Sequence, residues 1–405
     1  MVTILPFRAL RPSPSLAMQV ASRPYDVLNS TEARAAARDN PYSFLHVTKS
    51  EIDLAETIDI HSQAVYQKAN ENLQQFIRQG TLIQEDKPCY YIYQLTMNGR
   101  SQTGLVAVSS VEDYHQDRIK KHEFTRPEKE KDRIDHMYTI KAQTGNVFLA
   151  MRDVPALNQL MLAAQQEIPL YDFVAEDGIR HCIWVVDQPQ QIESITKLFQ
   201  EQVPCTYIAD GHHRAASAAK VSAALPDSAA ARYFLTTIFP ASQLAILDYN
   251  RVIKDLYGQR AADFITKLET DFTIRPSDSA VRPSQLHEFG MYLEGKWYVL
   301  EAKEGTYDTD PIGVLDITIL TKRILEKLLG ITDQRTDTRI DFVGGIRGLK
   351  ELERRVDSGE MKVAFSLYPV SIEQLFAIAD SGEVMPPKST WFEPKLRDGL
   401  LTHLL

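Results

Sequence analysis

Cys205-Thr206-Tyr207-Ile208-Ala209-Asp210-Gly211-His212-His213-Arg214-Ala215-Ala216-Ser217-Ala218-Ala219-Lys220 is the stretch whose reading decides the fold. The apolar run up to Ala209 predicts a buried strand, and the Ala-rich run from Ala215 predicts a helix. Asp210-Gly211-His212-His213-Arg214 therefore sits on a strand-to-helix turn. Unpaired backbone N–H groups and the positive end of the helix dipole gather at such a turn, which favours an anion. A glycine there lets the backbone approach a ligand closely. Two imidazoles, a carboxylate and a guanidinium crowd around it, and that set suits a phosphate group.

The same alternation extends on both sides. Val147 to Met151 and Cys182 to Val186 read as strands, and Ala156 to Gln166 and Gln191 to Glu201 as helices. Nearer the start, Asn98-Gly99-Arg100 between two apolar runs predicts a hairpin, as does Glu294-Gly295-Lys296 further on. Helical patterns follow over Ser50 to Gln79, Val314 to Leu329 and Leu349 to Val356, and Ser371-Ile372-Glu373-Gln374 reads as a capping box. Strands interleaved with helices predict a mixed α/β (α+β) protein with mixed sheets and flanking helices. The closing Leu400 to Leu405 is expected to be a strand tied into the sheet. The division drawn from the sequence is an N-terminal α/β region over 1–228, carrying the Asp210 turn, and a C-terminal α/β region over 229–405.

Length and composition bound the function. A chain of 405 residues with 44% apolar and 24% charged residues can bury large cores. Its net charge of −9 argues against a general nucleic-acid surface, which needs excess Lys and Arg. Cys89, Cys182 and Cys205 are far apart, with no CxxC pair and no zinc spacing. They are expected to be reduced thiols in a cytoplasmic protein. No run approaches the ~20 apolar residues of a membrane span, and the first residues lack a signal-peptide pattern. Self-association into a homo-oligomer is left open.

Several constellations carry chemistry. In Asp210 to Arg214, adjacent histidines on a forming helix point about 100° apart, which disfavours one shared metal. Two readings of the turn remain. In one, Asp210 caps the helix and the histidines pack. In the other, the turn recognises phosphate, with Asp210 or a histidine in proton transfer or metal binding. Within Arg118 to Arg133, the run Glu128 to Lys131 reads as a solvated, salt-bridged helix face. Lys121-His122-Glu123 with Arg126 lies directly ahead of Pro127, where a loop can set a general base beside phosphate-binding cations. Gly344-Gly345-Ile346-Arg347-Gly348 is a tight strand-to-helix turn or an anion site, and it lacks the Walker lysine. Met385 to Lys395 sets Lys388, Ser389 and Thr390 beside rigid prolines, either to hold an anion or to cover the sheet.

These segments resemble the domain-of-unknown-function family 1015 of bacteria and archaea. The resemblance rests on Leu5 to Leu10, Pro24-Tyr25-Asp26-Val27, Asn40 to His46, Lys121 to Arg133 and Ala209 to Arg214. It continues through Tyr249-Asn250-Arg251, Arg335-Thr336-Asp337, Ile340 to Gly348 and Met385 to Lys395, in order along nearly the whole chain. Arg23 stands where the family pattern has a proline.

The Asp-Gly-His-His-Arg turn is also similar to the phosphate turn of ParB and sulfiredoxin-like proteins, a group that includes free serine kinases. That likeness implies a ParB/sulfiredoxin-like core and phosphoryl transfer to free L-serine or a similar small hydroxy metabolite. The donor would be a nucleotide or pyrophosphate, with Mg²⁺ as cofactor. Glu123 would take the hydroxyl proton, and Asp210 would bind Mg²⁺ or orient His213. Arg214, the N–H groups after Gly211, Lys121, His122, Arg126, His212, Arg347 and Lys388 would hold substrate and phosphate. Two alternatives accompany this reading: a ParB-like nucleotide-binding regulatory module, and a phosphoserine phosphatase using the same pocket.

Overall fold

The computed structural model describes residues 1–125 and 127–405. The chain divides into two compact units, Met1–Leu244 with Pro394–Leu405, and Ala245–Glu393. The stretch around Pro226 to Arg232 leads straight into a strand of the first unit.

The first unit is built on a nine-stranded mixed sheet. Its strands are β1 (Ile4–Leu5), β2 (Tyr90–Met97), β3 (Arg100–Ser110), β4 (Ile119–Lys120), β5 (Val147–Met151), β6 (Tyr171–Val174), β7 (Arg180–Val186), β8 (Thr206–Asp210) and β9 (Tyr233–Pro240). They lie in the order β4-β8-β5-β9-β3-β2-β7-β6, with β1 also on β3. The β8–β4 and β5–β9 pairs are parallel, and the other pairings are antiparallel. Asn98 and Gly99 both take positive φ (52° and 77°), which matches the twist of the β2–β3 hairpin that the sequence predicts.

Helices α1 (Gln63–Arg78), α2 (Pro127–Ile140), α3 (Pro155–Ala164), α4 (Pro189–Gln202) and α5 (His212–Ala224) accompany this sheet. Leu157, Met161, Ile195, Phe199, Ala215 and Ala218 join Ile92, Leu105, Leu149 and Ile208 in one apolar core. Each large aliphatic or aromatic side chain so buried contributes about 1.5–3 kcal/mol. The small residues of α5 let α2 pack closely along it. Cys89 and Cys182 are buried, Cys205 is half-buried, and all three are free thiols.

The second unit carries a six-stranded, wholly antiparallel sheet. Its strands are β10 (Tyr249–Ile253), β11 (Phe272–Ser277), β12 (Glu288–Leu293), β13 (Lys296–Ala302), β14 (Ile340–Gly344) and β15 (Val363–Leu367), ordered β11-β13-β12-β15-β10-β14. The turn of the β12–β13 hairpin again has two positive φ values, at Glu294 and Gly295. The charged helix α6 (Leu349–Asp357) follows β14. Helix α7 (Ile372–Ser381) starts with both bonds of the predicted capping box, Ser371 to Gln374 and back.

Mixed α/β architecture is as the sequence predicts, but the closing segment is not a strand of the large sheet. Only His403–Leu404 is extended, paired with Ala142–Gln143 in a separate two-stranded ladder. Single bridges from Thr402 to Leu10 and from Asp398 to Ser22 continue that attachment. An apolar Leu-rich ending reads as a strand by composition, yet here it pairs only with short edge segments.

Candidate functional site

β8 ends in a bulge: its register against β5 shifts between Ile208 and Asp210, so Ala209 is the extra residue. Bulges re-aim the side chains that follow them. Gly211 then takes φ +95° and ψ 30°, a left-handed conformation that favours glycine, and α5 begins at His212. Gly211 itself is the helix N-cap, and no side chain caps the helix. Asp210 is therefore not the cap that one reading of the sequence proposed. Its Oδ2 faces Lys395 Nζ at 3.3 Å instead. Burial works against the Asp210 charge, but Lys395 and Arg214 together hold its carboxyl well below the usual carboxylate range.

Two buried imidazoles stand beside this turn. The His122 backbone N–H donates to His212 Nε2 at 3.4 Å, and the two rings meet edge to face with centroids 4.6 Å apart. The bond makes His212 Nε2 an acceptor, so the proton of the neutral ring belongs on Nδ1. His212 Nδ1 lies 3.9 Å from Glu123 Oε2, and the Glu123 side chain is exposed on that side. Burial pulls the His122 imidazole down to about 4 against the opposing pull of Asp210. Burial, and then the neighbouring His122, lower His212 strongly as well. Both rings are neutral near pH 7. His122 Nδ1 is buried with no hydrogen-bond partner among the described residues. His213, one residue on, is half-buried, and its charge adds to the field that lowers Glu130.

Arg214 is deeply buried, where the sequence suggested a phosphate fork. Its Nη1 donates to the Asn146 carbonyl at 2.6 Å and its Nη2 to Asp26 Oδ2 at 3.0 Å. Its guanidinium carbon lies 5.8 Å from the centre of the Tyr25 ring, over which Arg133 lies at 3.8 Å. Asp398 sits in the same cluster, and burial pushes its carboxyl up to about 7 despite Arg214. A cavity of about 20 Å³, lined in part by Tyr25, Arg133, Thr144, Gly145 and Arg214, leaves room for one water molecule.

The loop ahead of α2 is split in its roles. Lys121 Nζ lies 4.3 Å over the Tyr114 ring. Arg126 falls outside the described residues. Glu128, Lys129 and Lys131 are exposed, as the charge run predicts, but Glu130 is buried. Packing of α2 on α5 brings Glu130 against Lys220 and the Thr125 hydroxyl, which hydrogen-bond its two carboxylate oxygens. Arg347 and Lys388 belong to the second unit. Arg347 is exposed on the turn between β14 and α6, and Lys388 is exposed at φ +59°.

Lys395 was not singled out as an anion ligand in the sequence. Its one sequence signal is its place at the end of the Met385 to Lys395 segment. A second buried polar chain also went unread. Arg397 donates through Nε to His181 Nε2 at 3.2 Å and ion-pairs Asp177, while His181 Nδ1 and the Tyr93 hydroxyl are 2.8 Å apart. Residues 395–398 thus reach Asp210, His181 and the Arg214 cluster from one short segment.

Among the described residues no group of three or more His, Cys, Asp or Glu side chains is arranged to hold a metal ion. Asp210 offers a single carboxylate at the turn. That suffices for Mg²⁺ only where phosphate oxygens and water complete the shell.

The sequence matches the family described as "Protein of unknown function (DUF1015)" over residues 4–318, and the chain belongs to that family. No protein of curated function matches it. Among solved structures, it is similar to a conserved hypothetical protein from Pyrococcus furiosus (16% identity, TM-score 0.37, 74% of this chain and 94% of that one). It is likewise similar to a free serine kinase in complex with AMP (12% identity, TM-score 0.35, 73% and 92%). SbnI with a C-terminal truncation, from Staphylococcus aureus, is a third (10% identity, TM-score 0.36, 72% and 85%). All three likenesses are distant. No helix of the described residues is long and apolar enough to cross a membrane.

Proposed function

We propose that this DUF1015 protein is a phosphotransferase that moves a phosphoryl group to free L-serine or a similar small hydroxy metabolite. A nucleotide or pyrophosphate is the donor. The observation that carries the reading is the gathering of Glu123, His212, Asp210 and Lys395 at the left-handed Gly211 turn that opens α5. The choice of serine rests on the likeness of Asp210-Gly211-His212-His213-Arg214 to the turn of free serine kinases.

Phosphoryl transfer asks for positive groups around the moving phosphoryl and a base at the hydroxyl. The N–H groups after Gly211 and the Lys395 ammonium meet the first need. Glu123 meets the second: it is exposed, and its Oε2 lies 3.9 Å from His212 Nδ1. Asp210 is the residue that would hold Mg²⁺, whose charge would offset that of the donor phosphates. Arg214, already bonded to Asn146 and Asp26, positions the turn. His213 and Lys121, both half-buried, would meet the donor.

Burial of His122 and His212 favours a second reading, a nucleotide-binding module without chemistry, since neither ring is placed to exchange protons with solvent. Incubating the full chain with Mg²⁺, serine and each of ATP, ADP and pyrophosphate, then measuring phosphoserine by mass spectrometry, separates the two. Phosphoserine is expected from one donor. Its absence from all of them, with no serine released from phosphoserine in a parallel sample, leaves the binding module. Serine release alone identifies a phosphatase.

A further inference from the structure

Among the described residues, the second unit contains a buried positive charge with no acid acting on it. Arg251 lies on β10, between β14 and β15, and has no solvent exposure. Its Nη1 donates to the Tyr249 carbonyl, and its Nη2 donates to the Pro387 carbonyl at 3.0 Å. Its Nε–H is buried without a partner among the described residues. The guanidinium carbon lies 4.9 Å from the centre of the Phe342 ring and 5.7 Å from that of Tyr249. Among the described residues no acidic side chain acts on it, and burial pulls it down to about 9 against the opposing Tyr249 hydroxyl.

Carbonyls and ring faces soften a buried charge, but they do not neutralise it. A buried ion without a counter-ion is costly. A second cation stands close by. Lys388 Nζ lies 5.9 Å from the centre of the same Tyr249 ring, and Lys388 is exposed. Its backbone φ of +59° is uncommon for a residue with a side chain, and such positions gather at ligand sites. The Pro387 carbonyl that Arg251 grips belongs to the residue before Lys388, so the buried arginine fixes the backbone that presents the exposed lysine. Ser389, whose hydroxyl donates to the Pro386 carbonyl at 2.6 Å, and Thr390 complete the segment.

We propose that the second unit binds a small oxyanion, a phosphate group, at Lys388 and Thr390 above the buried charge of Arg251. Lys388 contacts the ion. Arg251 is a positioning residue that shapes the segment and supplies its field from beneath. This inference stands apart from the phosphotransferase reading, which uses only residues of the first unit.

Trp391, edge-on to Tyr249 with centroids 5.0 Å apart, provides an optical reporter. The full-length protein is titrated with inorganic phosphate and with pyrophosphate at constant ionic strength, and tryptophan fluorescence is followed. Chloride alone and a Trp391→Phe variant serve as controls. A saturable change that requires Trp391 is expected. Lys388→Gln, an exposed substitution that leaves the fold intact, should weaken it about tenfold or more. Arg251→Met should weaken it too, and if that variant does not fold, Lys388→Gln decides. Asp210→Asn should leave it unaltered. No saturable response in the parent, or equal affinity in Lys388→Gln, overturns the proposal. So does a response that Asp210→Asn abolishes while Lys388→Gln spares it, because the ion then belongs to the first unit.

Discussion

Lys395 Nζ lies 3.3 Å from Asp210 Oδ2, across 185 positions of sequence. The pair links the segment 394–405 to the turn that opens α5. It also sets a cation where the backbone N–H groups of the turn already favour a negative ligand. Lys395→Gln is expected to weaken binding of a phosphate ligand about 10- to 100-fold, the range of a lost charge-assisted hydrogen bond. Calorimetric titration with pyrophosphate checks it, and an unchanged affinity in a folded variant would remove Lys395 from the site.

Arg214→Ala is expected to destabilise the protein, because it strips a buried cluster of one of its two cations. Asp26 loses its ion pair and the buried Asp398 loses the stronger of its two favourable charges, Arg133 being the other. Arg214 is buried but Asp26 is exposed, so the loss is that of charged hydrogen bonds, typically about 1.5–3 kcal/mol. Arg214→Lys should recover only part of that, since an ammonium cannot reach Asn146 and Asp26 as a fork does. Chemical denaturation measures both variants. A loss under about 1 kcal/mol for Arg214→Ala would mean that the cluster is not a structural anchor.

Gly211→Ala is predicted to cost about 1–2 kcal/mol through backbone strain at φ +95°. Crowding adds little, because the new Cβ would meet Arg214 Nη1 at 3.4 Å and Val147 Cα at 3.5 Å, ordinary contact distances. A deficit well above that range in denaturant unfolding would point to a tighter turn than the one described.

Acid should destabilise the first unit before its carboxylates titrate. His122 and His136 are held near 4, and His181 near 3, chiefly by burial, against an ordinary value of 6.5. The unfolded chain therefore binds protons that the native state refuses, and stability falls as pH drops from about 6.5 towards 4. Asp398 works the other way, since burial raises its carboxyl to about 7 from 3.8. The native state holds that proton more tightly, so its contribution favours folding at low pH and is lost as pH rises from about 4 through 7. Asp398→Asn should thus make the acid loss steeper, and His136→Gln should make it shallower. Unfolding free energy measured from pH 4 to 8 tests both, and parallel curves for parent and variants would refute the assignment.

The strand, turn and helix around Asp210 were legible because each has a local signature: an apolar run, a glycine, then an alanine run. The two hairpins and the capping box at Ser371 were legible for the same reason. What the sequence concealed depends on contacts between distant residues. Glu130 sits in a charge run and reads as solvated, and only the packing of α2 on α5 buries it. Arg214 reads as a ligand-binding cation because arginine is seldom buried, yet Asn146, Asp26 and Asp398 make an interior for it. Lys395 and Arg397 are ordinary surface residues until their segment folds back on Asp210 and His181.

Phosphoserine formation by Glu123→Gln beside the parent tests the central claim most directly, with the active donor at saturation and serine affinity measured in parallel. The substitution keeps the size of the side chain and removes its basicity. A positioned general base contributes about 10²–10⁴-fold to rate. The variant should therefore bind serine about as well as the parent and form phosphoserine slower by that factor. Equal rates in the two proteins would contradict a proton transfer to Glu123 at the Asp210 turn.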